Sequence, residues 1–192
     1  MRDEIAVRAG IGWLSGARTR LLAVGWNEPE ILMLDPDTGT LTASVQIPDG
    51  ERVGPIFDTG DEVLATGSCG HIVRVTGMDH PQVHKVRISD VSQQFSAALA
   101  VGSLWIADEA RSELVRVDLR TAEVVARLPV ETADPDDPAF AIVPGQRSVW
   151  VIDTNLPNGV LRVDPTANRV QRLASATDMS TWMSAVVAAP PT

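Results

Sequence analysis

A fourfold repeat constrains this chain more than any other feature. The copies read LLAVG (Leu21–Gly25) with ILMLDPDTG (Ile31–Gly39), and VLATG (Val63–Gly67) with IVRVTG (Ile72–Gly77). They continue as LWIAD (Leu104–Asp108) with LVRVDLRT (Leu114–Thr121), and VWVID (Val149–Asp153) with VLRVDPTA (Val160–Ala167). The aligned residues Leu22, Leu64, Trp105 and Trp150 recur at intervals of 42, 41 and 45 residues. A period of that length suits a four-stranded propeller blade and is too long for ankyrin or tetratricopeptide units.

Each unit reads as four short strands, a to d. Alternation in Leu114–Val117 sets Leu114 and Arg116 on one side and Val115 and Val117 on the other, the pattern of a half-buried strand. Asp35-Pro36-Asp37-Thr38-Gly39 and Asp164-Pro165-Thr166-Ala167 place a capping Asp first and a φ-restricting Pro second, which are turn signals. Strands d follow these turns at Leu41–Ile47, Val83–Ile88, Val124–Val130 and Val170–Leu173. Strands a precede the central pairs, as in Ser96–Val101 and Ala139–Val143. No segment sustains apolar spacing at i, i+3, i+4, i+7, so the expected class is all-β, a β-propeller of four-stranded antiparallel blades.

The expected blades span about 11–48, 54–89, 96–130 and 139–174 of one domain, 1–192. Two stray strands remain, a d-like one at 4–7 and an a-like one at 182–188. Four whole blades with partial blades at both ends describe an incomplete or divergent propeller. Open blade edges invite self-association.

Bulk properties narrow the partners. A hydrophobic content of 44% and a charged content of 21% in 192 residues are ordinary for a globular chain. The formal net charge of −9 opposes phosphate-neutralising contacts with nucleic acid and docking on anionic membranes. Cys69 is the single cysteine, so an intrachain disulfide is excluded. No apolar run approaches the roughly 20 residues a bilayer span needs, and the first residues, MRDEIAVRAG, do not read as a signal peptide. The chain as given is expected to be soluble and cytoplasmic, or extracytoplasmic if an N-terminal portion is missing.

The LWIAD and LVRVDLRTAEVVARLPV units resemble the YVTN/NHL-type repeats of bacterial six- or seven-bladed β-propellers. That group includes YncE-like proteins and, more broadly, virginiamycin B lyase-like and gluconolactonase-like propellers. The resemblance covers about residues 11–188. This chain departs from it in having fewer blades and in carrying Thr76-Gly77 where other units carry Asp-Pro.

In such a blade the b–c and d–a loops gather at one end of the sheet and the a–b and c–d loops at the other. The first set is rich in carboxylates and amides, including Glu28, Asp49, Glu51, Asp108, Glu109, Asp153 and Asn155. Asp108 and Asp153 end equivalent strands; with Glu109 and Asn155 they could offer oxygen ligands to Ca²⁺ or Mg²⁺, as the gluconolactonase-like resemblance implies. The alternative is that each Asp caps a turn. His71 is the candidate general base that the lyase resemblance would require. Trp26, in a b–c loop, could line a binding surface or pack in the core. Cys69, His71, His80 and His84 do not form a structural zinc pattern, since the repeat places His80 and His84 away from Cys69. Asp35-x-Asp37-x-Gly39 begins like a calcium loop, but Gln46 stands where the bidentate Glu belongs, so it is a hairpin turn.

Two functional expectations follow. The first is a non-catalytic binding or scaffold propeller that requires no cofactor and presents an acidic loop face to a protein or small-molecule ligand. The alternative is a divalent-metal-assisted lyase, lactonase or hydrolase using His71, with Asp108, Asp153 and Asn155 around the ion.

Overall fold

The computed structural model describes residues 10–16, 20–25, 28–68, 70–77, 80–88, 91, 96–132, 140–153 and 159–172. The expected stray strands at 4–7 and 182–188 lie outside these residues, as do Trp26, Cys69 and Asn155. The described residues form four antiparallel four-stranded sheets, each built from strands consecutive in sequence. These are the blades of a β-propeller. The chain divides into two compact units, Met1–Ile88 and Ser89–Thr192, with two blades in each.

Unit 1 holds blade 1, made of β1 (Ile11–Gly16), β2 (Leu21–Gly25), β3 (Glu30–Leu34) and β4 (Leu41–Gln46). It also holds blade 2, made of β5 (Val53–Asp58), β6 (Val63–Gly67), β7 (His71–Thr76) and β8 (Gln82–Arg87). Leu22, Val24, Ile31 and Met33 of blade 1 share one core with Val53, Ile56, Val63, Ala65, Val73 and Val75 of blade 2. Alternation explains the selection: these positions fall on the facing sides of the two sheets.

Unit 2 holds blade 3, made of β9 (Ala97–Ala100), β10 (Ser103–Asp108), β11 (Glu113–Asp118) and β12 (Val124–Pro129). Blade 4 is made of β13 (Phe140–Pro144), β14 (Val149–Asp153), β15 (Gly159–Asp164) and β16 (Arg169–Arg172). Trp105, Ala107 and Leu114 pack with Phe140, Ile142, Val149, Val151, Leu161 and Val163. Trp105 is wholly buried and its indole N–H donates to the Ala100 carbonyl at 3.1 Å, so its one polar atom is satisfied inside the core.

The half-buried reading of Leu114–Val117 needs correction. Leu114, Val115 and Val117 are all buried, which leaves only Arg116 partly exposed. Leu114 belongs to the core shared with blade 4, so its side of the sheet is not a solvent face. Arg116 reaches the edge of that core. Its guanidinium lies 5.4 Å from the Trp105 ring centroid and donates to Ser103 Oγ, to the Pro165 carbonyl and to Asn168 Oδ1. One side chain thus ties blade 3 to the β15–β16 turn of blade 4.

The Asp-led turns form as their sequences require. Asp35 Oδ1 accepts from the backbone N–H groups of Asp37 and Thr38; Asp118 does so from Arg120 and Thr121, and Asp164 from Thr166 and Ala167. The fifth residue of each turn is left-handed: Gly39 at φ 70°, Ala122 at 58° and Asn168 at 47°. Blade 2 lacks the Asp, and its turn instead starts at Gly77 with φ 65°.

Candidate functional site

The loop end of strand b carries a buried carboxylate in three of the four blades. Asp108 and Asp153 occupy equivalent ends of β10 and β14 and are 0% and 1% exposed. Blade 2 has Gly67 at that position, yet the space is still filled by a carboxylate. Glu51, from the loop between β4 and β5, lies against Gly67: a Cβ built there would stand 2.9 Å from Glu51 Cδ and closer still to Oε1. The side chain of Glu51 is 4% exposed. The charge keeps its place in the blade while its owner changes from strand to loop.

Glu51 and Asp108 each face a cation on strand d. Lys85 of β8 and Arg127 of β12 are equivalent, paired with Val73 and Val115 across the c–d ladder. Lys85 Nζ is 3.1 Å from Glu51 Oε2 and 2.8 Å from Asp49 Oδ2. Asp108 Oδ2 lies 2.8 Å from Arg111 Nη1 and 3.9 Å from Arg127 Nη1, and Arg127 also meets Glu113 Oε2 at 3.2 Å. A buried carboxylate demands such partners, because an unpaired charge in a low-dielectric site is costly.

Blade 2 adds one feature. His71, the first residue of β7, places Nδ1 3.0 Å from Glu51 Oε1, and its side chain is 24% exposed. With Glu51 ionised and held by Lys85, the ring proton belongs on Nδ1, where it is donated to Oε1. In the neutral ring Nε2 then carries the lone pair, with no hydrogen-bond partner among the described residues. Asp49 is held below the ordinary carboxylate range by its hydrogen bond and charge contact with Lys85; the ammonium is raised in turn, first by its hydrogen bond to Asp49 and then by that to Glu51. Lys85 is the single lysine of the chain.

Asp108 and Glu109 have partners within the fold. Asp108 makes no capping hydrogen bond to the 3₁₀ turn Glu109–Arg111 that follows it; its carboxylate faces guanidinium groups instead. Glu109 Oε1 accepts from the Phe140 N–H at 3.4 Å. His80 is exposed in the β7–β8 turn, and His84 is exposed on the outer strand β8. Glu51 and Lys85 were not singled out from the sequence, although a glycine in place of the strand-end Asp was a visible signal.

The Asp108 carboxylate is engaged by the guanidinium groups of Arg111 and Arg127. Among the described residues no group of three or more His, Cys, Asp or Glu side chains is placed to hold a metal ion. No helix among them is long and apolar enough to cross a membrane.

Four-stranded antiparallel blades and their loop-end charge clusters define the class, a β-propeller. No protein-family model and no curated protein sequence matches the chain. Solved structures do match. Selenomethionine-substituted virginiamycin B lyase from Staphylococcus aureus aligns with a TM-score of 0.69 at 16% identity, over 87% of this chain and 56% of that one. A catalytically inactive His-to-Ala variant of the same lyase with quinupristin aligns at 0.68 and 13%, over 92% and 60%. Apo AztD from Citrobacter koseri gives 0.64 and 12%, over 88% and 48%. The chain spans between half and two thirds of the lyase structures' length, and at these identities the likeness is one of fold.

Proposed function

We propose that this chain is a ligand-binding β-propeller that takes a small molecule at the loop end of blade 2, beside His71. The observation that carries this reading is the ordered charge chain Asp49–Lys85–Glu51–His71, anchored on a buried carboxylate and ending in a partly exposed imidazole. It offers a ligand one hydrogen-bond acceptor, at Nε2, on a support already locked by ion pairs. Such preorganisation lowers the entropy lost on binding.

The His71–Glu51 contact favours a second reading, a lyase. Nε2 would remove a proton from a carbon acidified by a neighbouring carbonyl. The freed electron pair would form a carbon–carbon double bond as the adjacent carbon–oxygen bond breaks, and the leaving oxygen would then take the proton back from the imidazolium. Glu51 would hold the ring orientation and stabilise its charged form. The fold shared with a lyase that is inactivated by loss of one histidine supports this reading.

Quinupristin is the probe for both. Calorimetric binding without turnover, weakened tenfold or more by His71→Ala, supports the binding reading. A new product on chromatography that disappears in His71→Ala and Glu51→Gln supports the lyase. Neither binding nor turnover would remove this ligand class and leave the blade 2 cluster as a purely structural ion-pair group. Titration with Ca²⁺ or Mg²⁺ tests the metal-assisted variant: saturation at a hundred times Kd would stabilise the fold by about 2.7 kcal/mol. A shift that survives Asp108→Ala would put the ion elsewhere.

A further inference from the structure

Blade 3 seats blade 4 through a defined set of side chains. Trp105, Ala107 and Leu114 are buried in the shared core, and Arg116, stacked over Trp105, donates to the Pro165 carbonyl and Asn168 Oδ1 of the next blade's Asp-led turn. The same seat recurs on blade 4. Trp150 stands opposite Arg162 in the β14–β15 ladder as Trp105 stands opposite Arg116 in β10–β11. There, Trp150, Ile152 and Val160 are only half-buried and Arg162 is exposed. The Arg162 guanidinium makes no hydrogen bond among the described residues.

Blade 1 carries the complementary half. Its turn Asp35-Pro36-Asp37-Thr38-Gly39 repeats the Asp164–Asn168 turn that Arg116 grips, down to the Asp side chain that caps it and the proline whose carbonyl is the acceptor. The apolar positions behind that turn are exposed on blade 1. Leu14 pairs with Ala23 as Ile142 pairs with Val151, yet Leu14 is 60% exposed and Ile142 8%. Leu21 and Leu32 are half-buried, whereas their counterparts Val149 and Leu161 are buried.

We propose that these two faces pair between copies of this chain: the Trp150/Arg162 face of one copy seats the Leu14/Leu32 face and the Pro36 turn of a second. The occupant follows from continuity with an interface already present in the molecule, since blade 4 sits on blade 3 by this chemistry. Because each copy carries one seat and one occupant, the contact is heterologous.

The test is sedimentation velocity of the full chain across a concentration series. Leu14→Glu and Arg162→Glu both alter exposed side chains, so circular dichroism should show the native sheet. The wild-type chain is expected to dimerise, with each variant alone at least tenfold weaker. An equimolar mixture of the two variants, which restores one intact contact, should associate more strongly than either alone. A wild-type chain that stays monomeric at every concentration, including one that covers these faces within itself, overturns the proposal. So does an oligomer that neither substitution weakens, or a mixture that gains nothing. If one variant misfolds, the other still reports on the same contact from its own side.

Discussion

The Glu51 carboxylate occupies the space that a side chain at residue 67 would need. Gly67 is therefore required for close approach and not for backbone freedom, since its φ is not in the left-handed region. Gly67→Ala should destabilise unit 1 by about 1–3 kcal/mol, because the displaced carboxylate is also held by His71 and Lys85. Glu51→Ala should relieve that clash, so the double variant should be markedly less destabilised than the two single changes summed. Denaturant melts of the four-member cycle measure the coupling. Strict additivity would mean that Glu51 leaves its place at no cost.

Arg116 should be the most consequential arginine of unit 2. Arg116→Ala removes the contacts to Ser103, Pro165 and Asn168 and the cation over Trp105. A loss of about 1–3 kcal/mol is expected. Arg116→Lys should recover little of it, because a point-charged ammonium cannot reproduce a forked donor lying flat on an indole. Chemical denaturation of the two variants distinguishes them from a surface arginine, whose loss would leave the midpoint unchanged.

Thr66 is expected to respond in the opposite direction. Its hydroxyl is fully buried, and Oγ1 has no hydrogen-bond partner among the described residues. Thr66→Val keeps the shape and deletes the unpaired polar atom, which should be neutral or stabilising by about 1 kcal/mol. A thermal scan decides. A clear drop in Tm would reveal a partner for the hydroxyl.

The Asp-led turns set an acid limb. Asp35, Asp118 and Asp164 are held below the ordinary carboxylate value, chiefly by backbone N–H donors from Thr38, Thr121 and Ala167 respectively. A carboxylate depressed on folding contributes stability that is present above its unfolded pKa, about 3.9, and is lost as pH falls through the lower folded value. The wild-type Tm should therefore fall through that window. A triple Asp→Asn variant keeps the acceptor oxygens but does not titrate, so its decline should be shallower. Parallel curves would remove the turns from the account.

The blades were legible in the sequence because their signals are local and repeated. LWIAD, LVRVD and the Asp-Pro turns each encode a strand or a reversal within a few residues. Solvent exposure was less legible: Leu114 alternates like a half-buried strand, but the sheet carries a neighbour on that side, which period-two patterning does not reveal. The blade 2 cluster was hardest to read. His71 stood out as a histidine in a loop-end position, while its partner lies 20 residues earlier in a different loop and is admitted only by the missing side chain of Gly67. Asp108 and Asp153 were found by register, but register does not tell a cap from an ion pair.

Shared cores carry a consequence on the time axis. Trp105 and Leu114 of blade 3 lie in one apolar cluster with Phe140 and Val149 of blade 4, and Leu22 and Ile31 of blade 1 in one with Val63 and Val73 of blade 2. A blade that opened alone would strip its neighbour's core as well as its own. Amide protons of β10 and β14 should therefore exchange with solvent in step, at the rate of a common opening, and β2 and β6 likewise, while the outer strands β4 and β16 exchange sooner. The repeat counts four blades, but the cooperative opening unit should be a pair.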